Sequence, residues 1–380
     1  MSDTDFPIKE FENRLGRVQS KMRGKKLDAL FFTNEAEIRY FTGFRTLFWQ
    51  SPTRPWFLII PAAGKPIAVI PEIGRALMAA TWVDDIRTWS SPNKDDDGVT
   101  LLISTLQPYK NVGMLMGRES DLRMPLLDLG ILQQRLPGTH FCNATPLVQS
   151  VRMIKSTAEI KKISAICEIA SNSFDNAQNL FYEGQPLDQA FKAFKIDLLK
   201  QGAEDVPYLV GGCEQDGYGD VISPPTQRPH QKGDILMLDT GATLTGYFCD
   251  FDRNFAISQA SDTANHAYQT LTRATNTALE IARPGVTCQD IFVAMQNVID
   301  QPSTGVGRYG HGLGIQLTEP PSIIDFDETV LQSGMVITIE PSMITKDQKI
   351  MVFEENILIE DGPPRLLSRR AEPELPILKG

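Results

Sequence analysis

Residues 233–257 read GDILMLDTGATLTGYFCDFDRNFAI, and the fold turns on how this stretch is paired. Two runs of apolar and β-branched residues flank a turn expected at Leu244 and Thr245, with Gly246 supplying backbone latitude, so the segment reads as an antiparallel hairpin. With a turn that tight, Asp239 lies opposite Asp250. Opposed residues in such a pair hold their Cβ atoms about 4.5–5.5 Å apart, a placement that destabilises like charges. Asp252, two residues past Asp250, shares their face because strand side chains alternate. A single acid beside a hairpin commonly faces water. An opposed pair inside apolar strands instead calls for a cation between them.

Further acids stand on strands late in the chain. MVITIEPSM (335–343) carries Glu340, and IMVFEENILI (350–359) carries Glu354 and Glu355. Buried carboxylates need a partner or a cation, although an antiparallel edge can also turn its acids to water. A tight turn at Asp347 and Gln348 sets Glu355 opposite Glu340, whereas a three-residue loop pairs Glu340 with Glu354. Of the four histidines, His311 stands out in GRYGHGLGIQLTEPP (307–321), where glycines allow close backbone approach and a following strand aims the imidazole inward. His140 and His266 read as surface or packing residues and His230 as a loop residue. One imidazole with four carboxylates suits Mn, Fe, Co or Zn, and five ligands suffice for two such ions.

Working outward, 380 residues fit two or three domains. The first 150 alternate helix-like stretches with short apolar runs such as LDALFF (27–32), PWFLIIP (55–61) and PIAVIP (66–71), as an α/β layer does. Farther on come LLISTL (101–106), VGMLM (112–116) and the amphipathic MPLLDLGILQQRL (124–136). A boundary is expected near residue 150, giving domains 1–150 and 151–380. Beyond it Ser156 and Glu159 form a capping box that starts a long helix. Two pairs of amphipathic helices and the strands DVPYLVGG, DILMLDTG, GYFCDFDRNFAI, GLGIQL, GMVITIE and KIMVFEENILI make the second domain α+β.

With 42% hydrophobic and 22% charged residues the composition is that of a globular protein, and 37 basic against 47 acidic residues disfavour nucleic-acid or anionic-membrane partners. Five scattered cysteines without a CxxC pair suit a reducing compartment and argue against a structural zinc site. No basic, apolar leader opens the chain and no run of 18 apolar residues occurs, so a cytoplasmic location is expected.

The order Asp, Asp, His, Glu, Glu in LDTGATLTGYFCD, GHGLG, TIEPSM and FEENILI resembles the pita-bread metallohydrolases of the creatinase, prolidase and aminopeptidase P branch. RMIKSTAEIKKI (152–163) is similar to the opening of that family's catalytic domain, and NEAEIRYFTGF (34–44) to a stretch of its smaller N-terminal domain. The resemblance implies a creatinase N-terminal-like α/β domain, then a pita-bread domain whose helices pack outside a curved antiparallel sheet. It implies metal ligands Asp239, Asp250, His311, Glu340 and Glu354, two divalent ions, and a homodimer in which PWFLIIP (55–61) or FWQSPTRPW (48–56) reaches a neighbour's substrate. Glu354 takes the last ligand position because NILI then matches the family strand.

The chain departs from the family's peptidases at three places. Ile222, 17 residues before Asp239, and Thr318, 7 residues after His311, stand where those enzymes carry histidines, and Asp252 stands in place of a threonine. The implied reaction is metal-assisted hydrolysis of a C–N bond in a small peptide, amide or amidino compound. Glu340 serves as general base and His311 completes the catalytic centre, while Asp252, Tyr309, Thr318 or Glu319 orients the substrate and Asp252 tests for positive charge. Two rival readings are a metal-dependent lyase of a sulfonium acid and a noncatalytic binding relative that keeps the fold.

Overall fold

The computed structural model describes residues 6–301 and 307–379. The chain divides into two compact units, Met1–Arg152 and Met153–Gly380. In the first, the strands β1 (Ala29–Phe32), β2 (Phe57–Pro61), β3 (Ile67–Pro71), β4 (Asp85–Trp89), β5 (Asn111–Met114) and β6 (His140–Asn143) form one sheet in the order β4-β3-β2-β1-β5-β6. β1 pairs antiparallel with β2, and β2 with β3, while the remaining pairs are parallel. β1, β2 and β3 are buried along their whole length, so they read as unbroken apolar runs. LLISTL belongs to the helix Val99–Leu106, whose Leu102 and Leu106 pack with Phe31, Phe57 and Val112 in the core.

The second unit opens on the helix Thr157–Asp175. Its Ser156–Glu159 capping box is formed in both directions. This helix and Leu187–Gln201 cover one sheet, in which β7 (Asp205–Gln215), β8 (Asp234–Leu244) and β10 (Phe251–Ile257) run antiparallel, with the short β9 (Tyr247–Phe248) closing the hairpin and β18 (Ile377–Leu378) at the edge. Phe174, Phe181, Phe194, Phe251 and Phe255 fill the layer between them, with ring centroids 4.6–6.4 Å apart. A second sheet follows the order β12-β11-β13-β16-β17, made of β11 (His311–Gly312), β12 (Glu319–Ser322), β13 (Val336–Ile339), β16 (Glu355–Leu358) and β17 (Arg365–Leu366). β13 and β16 continue as the ribbon β14 (Ser342–Ile344) and β15 (Ile350–Val352). The helices Asp262–Ile281 and Cys288–Ile299 bury Leu271, Ala274, Ile291 and Met295 against Ile337, Ile339 and Ile357. No helix of the described residues is long and apolar enough to cross a membrane.

GLGIQL is not the strand its alternation announces. After Gly312 the chain runs irregularly to Leu317 and Thr318. The Gln316 amide donates to Glu319 Oε1 at 3.1 Å, and Lys155 Nζ meets Glu319 Oε2 at 3.1 Å, so a buried ion pair fixes a loop. The strand that follows is the proline-containing β12 instead.

Candidate metal centre

The hairpin that carries the aspartates turns one residue later than its sequence indicates. Thr245 (φ 48°) and Gly246 (φ 73°) take the two left-handed central positions, a type I′ arrangement that favours glycine in the second place and is uncommon for a β-branched residue in the first. Asp239 therefore pairs with Asp252, not with Asp250. Asp250 lies two residues back on the same face, immediately before β10. The predicted Asp239–Asp250 opposition is thus corrected, while all three acids still share one face.

The second pair of acids follows from the other hairpin. Thr345 and Lys349 close a three-residue loop over Lys346–Gln348, with Asp347 and Gln348 both at positive φ. The register set by β14 and β15 carries through to Ile339↔Glu355, so Glu340 faces Glu354 and Glu355 turns to the opposite face. There Glu355 accepts from Arg253 Nη2 at 3.0 Å, Arg370 Nη1 at 3.1 Å, the Ala371 amide at 2.8 Å, and Ser368 Oγ. It is a saturated structural anion.

The two sheets are stitched at these acids. The Asp250 amide donates to Asn356 Oδ1 at 2.9 Å, and Asn356 Nδ2 returns to the Asp250 carbonyl. The Glu354 amide donates to Asp252 Oδ1 at 2.9 Å, and Arg253 Nη1 donates to the Glu354 carbonyl at 2.9 Å. The bonds of this joint bring Asp250, His311 and Glu354 together, with one ligand atom from each lying within 4.8 Å of the others. All three are buried, at 3%, 5% and 2% exposure.

His311 Nδ1 lies 2.9 Å from the Gly312 carbonyl, which can only accept, so Nδ1 carries the proton. Burial and then the field of Arg308 lower its pKa to about 4, which makes the ring neutral. Its Nε2 lone pair then faces Asp250 Oδ2 at 3.3 Å. Gly310 enables this approach at φ 134°, since a Cβ there would meet the Thr338 carbonyl oxygen at 2.2 Å.

Burial is the largest influence on every carboxylate here, and neighbouring acids add to it at Asp250, Asp252, Glu340 and Glu354. Asp239 is pushed up to about 7, against which a hydrogen bond from Tyr208 works, and Glu340 to about 8. Asp250, Asp252 and Glu354 are raised well above the usual carboxylate range. Asp239 Oδ1, Asp252 Oδ2 and Glu354 Oε1 are sealed from solvent and have no hydrogen-bond partner among the described residues. Orphaned anionic oxygens beside a neutral imidazole are the donor set of hard to borderline divalent cations, so these residues fit such ions. Asp239 and Glu340 alone of the five acids stay partly exposed, which leaves them on the accessible side.

The residues expected to meet substrate fare differently. Asp252 is 2% exposed with one oxygen held by the Glu354 amide, so it offers no surface to a substrate cation. Tyr309 is turned into the helical layer, where its hydroxyl donates to Gln296 Oε1 at 2.8 Å and its ring stacks on Phe292. Glu319 is consumed by Lys155. Thr318 stays half-buried on the loop after β11, and Ile222 is 80% exposed. His230 sits in a loop but is buried, at 2% exposure.

Two residues escaped the sequence reading. Tyr208 pairs with Gly241, whose missing side chain lets the ring lie across the strand, and its hydroxyl shares the field of Asp239, Asp250, Glu354 and Glu340. Arg308 acts on Asp250, Glu340 and His311, and its Nη1 donates to Ser322 Oγ at 3.2 Å. An arginine three residues before His311 was the available signal for it.

Comparison with known proteins fits this geometry. The profile of "Metallopeptidase family M24" matches residues 161–361. The chain belongs to that family. The profile of "Creatinase/Prolidase N-terminal domain" matches residues 14–154, so the architecture is a creatinase N-terminal domain followed by a pita-bread M24 domain, and the protein is a hydrolase of a metallopeptidase family. It is 28% identical over 273 residues to an Xaa-Pro dipeptidase of Pyrococcus horikoshii, an alignment covering 68% of this chain and 74% of that protein. Its fold is similar to that of dipeptidase PepE from Mycobacterium ulcerans (TM-score 0.84, 24% identity, 98% and 99% of the two chains). A prolidase from Thermococcus sibiricus is also similar in fold (TM-score 0.85, 22% identity, 97% and 99%).

Proposed function

We propose that this M24 protein is a dipeptidase acting on short peptides, Xaa-Pro dipeptides among them, at a centre of two divalent ions held by Asp239, Asp250, His311, Glu340 and Glu354. The observation that carries the reading is the buried Asp250–His311–Glu354 cluster, in which a neutral imidazole presents a lone pair to a carboxylate. The ions would supply Lewis-acid activation of water and of the scissile carbonyl.

The chain's own groups do the rest. Glu340, partly exposed on the accessible side of the centre, is the carboxylate placed to move a proton between water and substrate. It takes a proton from the attacking water and delivers it to the peptide nitrogen as the C–N bond breaks. The Tyr208 hydroxyl, kept protonated by burial and by the surrounding acids, donates to Asp239, and with Asp239 holding an ion it would be released to donate to the substrate carbonyl, a task left open by Ile222 and Thr318. Arg308 is the cation that faces the acidic centre, and a dipeptide's terminal carboxylate is the matching group. The burial of Asp252 withdraws the reason for an amidino or sulfonium substrate, so no lyase or amidinohydrolase is proposed.

The test is direct. Metal-stripped protein is reloaded with Mn, Co or Zn and assayed by release of free amino acid from a panel of Xaa-Pro and other dipeptides, with guanidino compounds as controls. Hydrolysis that vanishes on chelation and in Glu340→Gln is expected. A metal-replete protein that cleaves no dipeptide overturns the proposal.

A further inference from the structure

Asp252 has a place in the structure that no substrate contact accounts for. It stands directly opposite Asp239 across β8 and β10, on the face that carries Asp250. Its Oδ1 is fixed by the Glu354 amide at 2.9 Å, which orients the whole carboxylate. Its Oδ2 is sealed from solvent and has no hydrogen-bond partner among the described residues, and the same is true of Asp239 Oδ1 on the facing strand. The adjacent cation, Arg253, points to the other face, where it is engaged by Glu355 and by the carbonyls of Asp252, Glu354 and Arg369. Two opposed carboxylates, each with a buried oxygen left over, are costly unless a cation joins them.

We infer that Asp252 is a sixth protein ligand, whose Oδ2 grips, together with Asp239, the divalent ion on that side of the centre. This rests on the metallohydrolase reading above and adds to it a difference between the two ion positions. An ion beside Asp250, His311 and Glu354 would meet a nitrogen, whereas one held by Asp239 and Asp252 would meet carboxylate oxygens, which favour harder cations such as Mn²⁺ over Zn²⁺. With Asp252 included, five carboxylates surround two divalent ions, which leaves one net negative charge when all are ionised.

Calorimetric titration of metal-free protein with Mn²⁺ and with Zn²⁺ tests this, using Asp252→Asn and Asp252→Thr. The asparagine keeps an Oδ1 to accept from the Glu354 amide and removes only the anionic oxygen. The wild type is expected to bind two equivalents of Mn²⁺. Asp252→Asn should keep the first with its Kd changed less than threefold and bind the second at least tenfold more weakly, with a smaller loss for Zn²⁺. If Asp252→Asn does not fold, Asp252→Thr carries the same comparison. Two equivalents bound by a folded variant with unchanged Kd would overturn the inference, since Asp252 and Asp239 would then be sharing a proton. A wild type that binds no metal would instead overturn the metalloenzyme reading and this inference with it.

Discussion

Glu354 and Glu355 are chain neighbours with opposite burdens, and neutralising each should move stability in opposite directions. Glu355 is fully buried and takes every one of its contacts from a donor, with Arg253 at 3.0 Å and Arg370 at 3.1 Å. In Glu355→Gln an amide NH₂ replaces one acceptor and the guanidinium groups lose their counter-charge. Removing one partner of a buried pair costs about 3–5 kcal/mol. Since the Arg370 side chain is 25% exposed, the lower end applies, about 3 kcal/mol. For a unit the size of residues 153–380, each 1 kcal/mol shifts the midpoint by about 2–4 °C, so a fall of roughly 6–12 °C is expected. Glu354 presents the reverse case, with Oε1 unpartnered and its proton affinity raised by burial and by Glu340, Asp250, Asp239 and Asp252. Glu354→Gln should leave the metal-free midpoint unchanged or higher while weakening Mn²⁺ binding at least tenfold. Differential scanning calorimetry of both variants, metal-free and Mn-loaded, reads the contrast. A Glu355→Gln protein as stable as wild type, or a metal-free Glu354→Gln protein that melts lower, would refute the register on which this reasoning stands.

Four further outcomes follow from the same structure. Arg308→Gln should raise KM for a free dipeptide by about 10- to 100-fold, the worth of a charged hydrogen bond, and leave the corresponding dipeptide amide unaffected; equal losses on both would rule out carboxylate recognition. Gly310→Ala should cost more than about 1 kcal/mol and weaken metal binding at His311, because its Cβ would meet the Thr338 oxygen at 2.2 Å. Gly16→Ala in the helix Ile8–Gly24 meets nothing within 4 Å and should be neutral or stabilising in the same melts. In the metal-free protein, Asp239 at about 7 and Glu340 at about 8 retain protons that the unfolded chain releases near their ordinary values of 3.8 and 4.5. The stability they contribute is therefore lost as pH rises through 7 to 8. His311, lowered to about 4 from 6.5, works the other way, but only below pH 6.5. The metal-free midpoint should thus fall between about pH 6.5 and 8.5, and a rise over that window in thermal melts would contradict the assignment.

Much of this was legible in the sequence because the signals are local. The buried runs of β1, β2 and β3, the Ser156–Glu159 capping box and the alternation around Asp239, Asp250 and Asp252 are each decided within a few residues. The misplaced turn had a specific cause. Leu244–Thr245 and Thr245–Gly246 are both two-residue turns, and the second asks a threonine to take positive φ, which local preference disfavours. Tyr309 shows a different limit. Its neighbours in the chain are glycine-rich site residues, yet its fate is set by Phe292 and Gln296 on a helix about fifteen residues earlier. Glu355 could be told from Glu354 only once the loop at Lys346–Gln348 fixed the register, because one residue of slip exchanges their faces. Tyr208 enters the site through tertiary placement, and nothing in the residue types around it marks the carboxylates it would face.

The central claim is that buried acids and one neutral imidazole are gathered around bound cations. A crystal soaked in Mn²⁺ and measured at the manganese absorption edge tests it most directly. Anomalous peaks between Asp250 Oδ2, His311 Nε2 and Glu354, and between Asp239 and its neighbours, are predicted. A crystal with fully ordered side chains and no peak at these atoms, or with manganese bound only elsewhere, would contradict it.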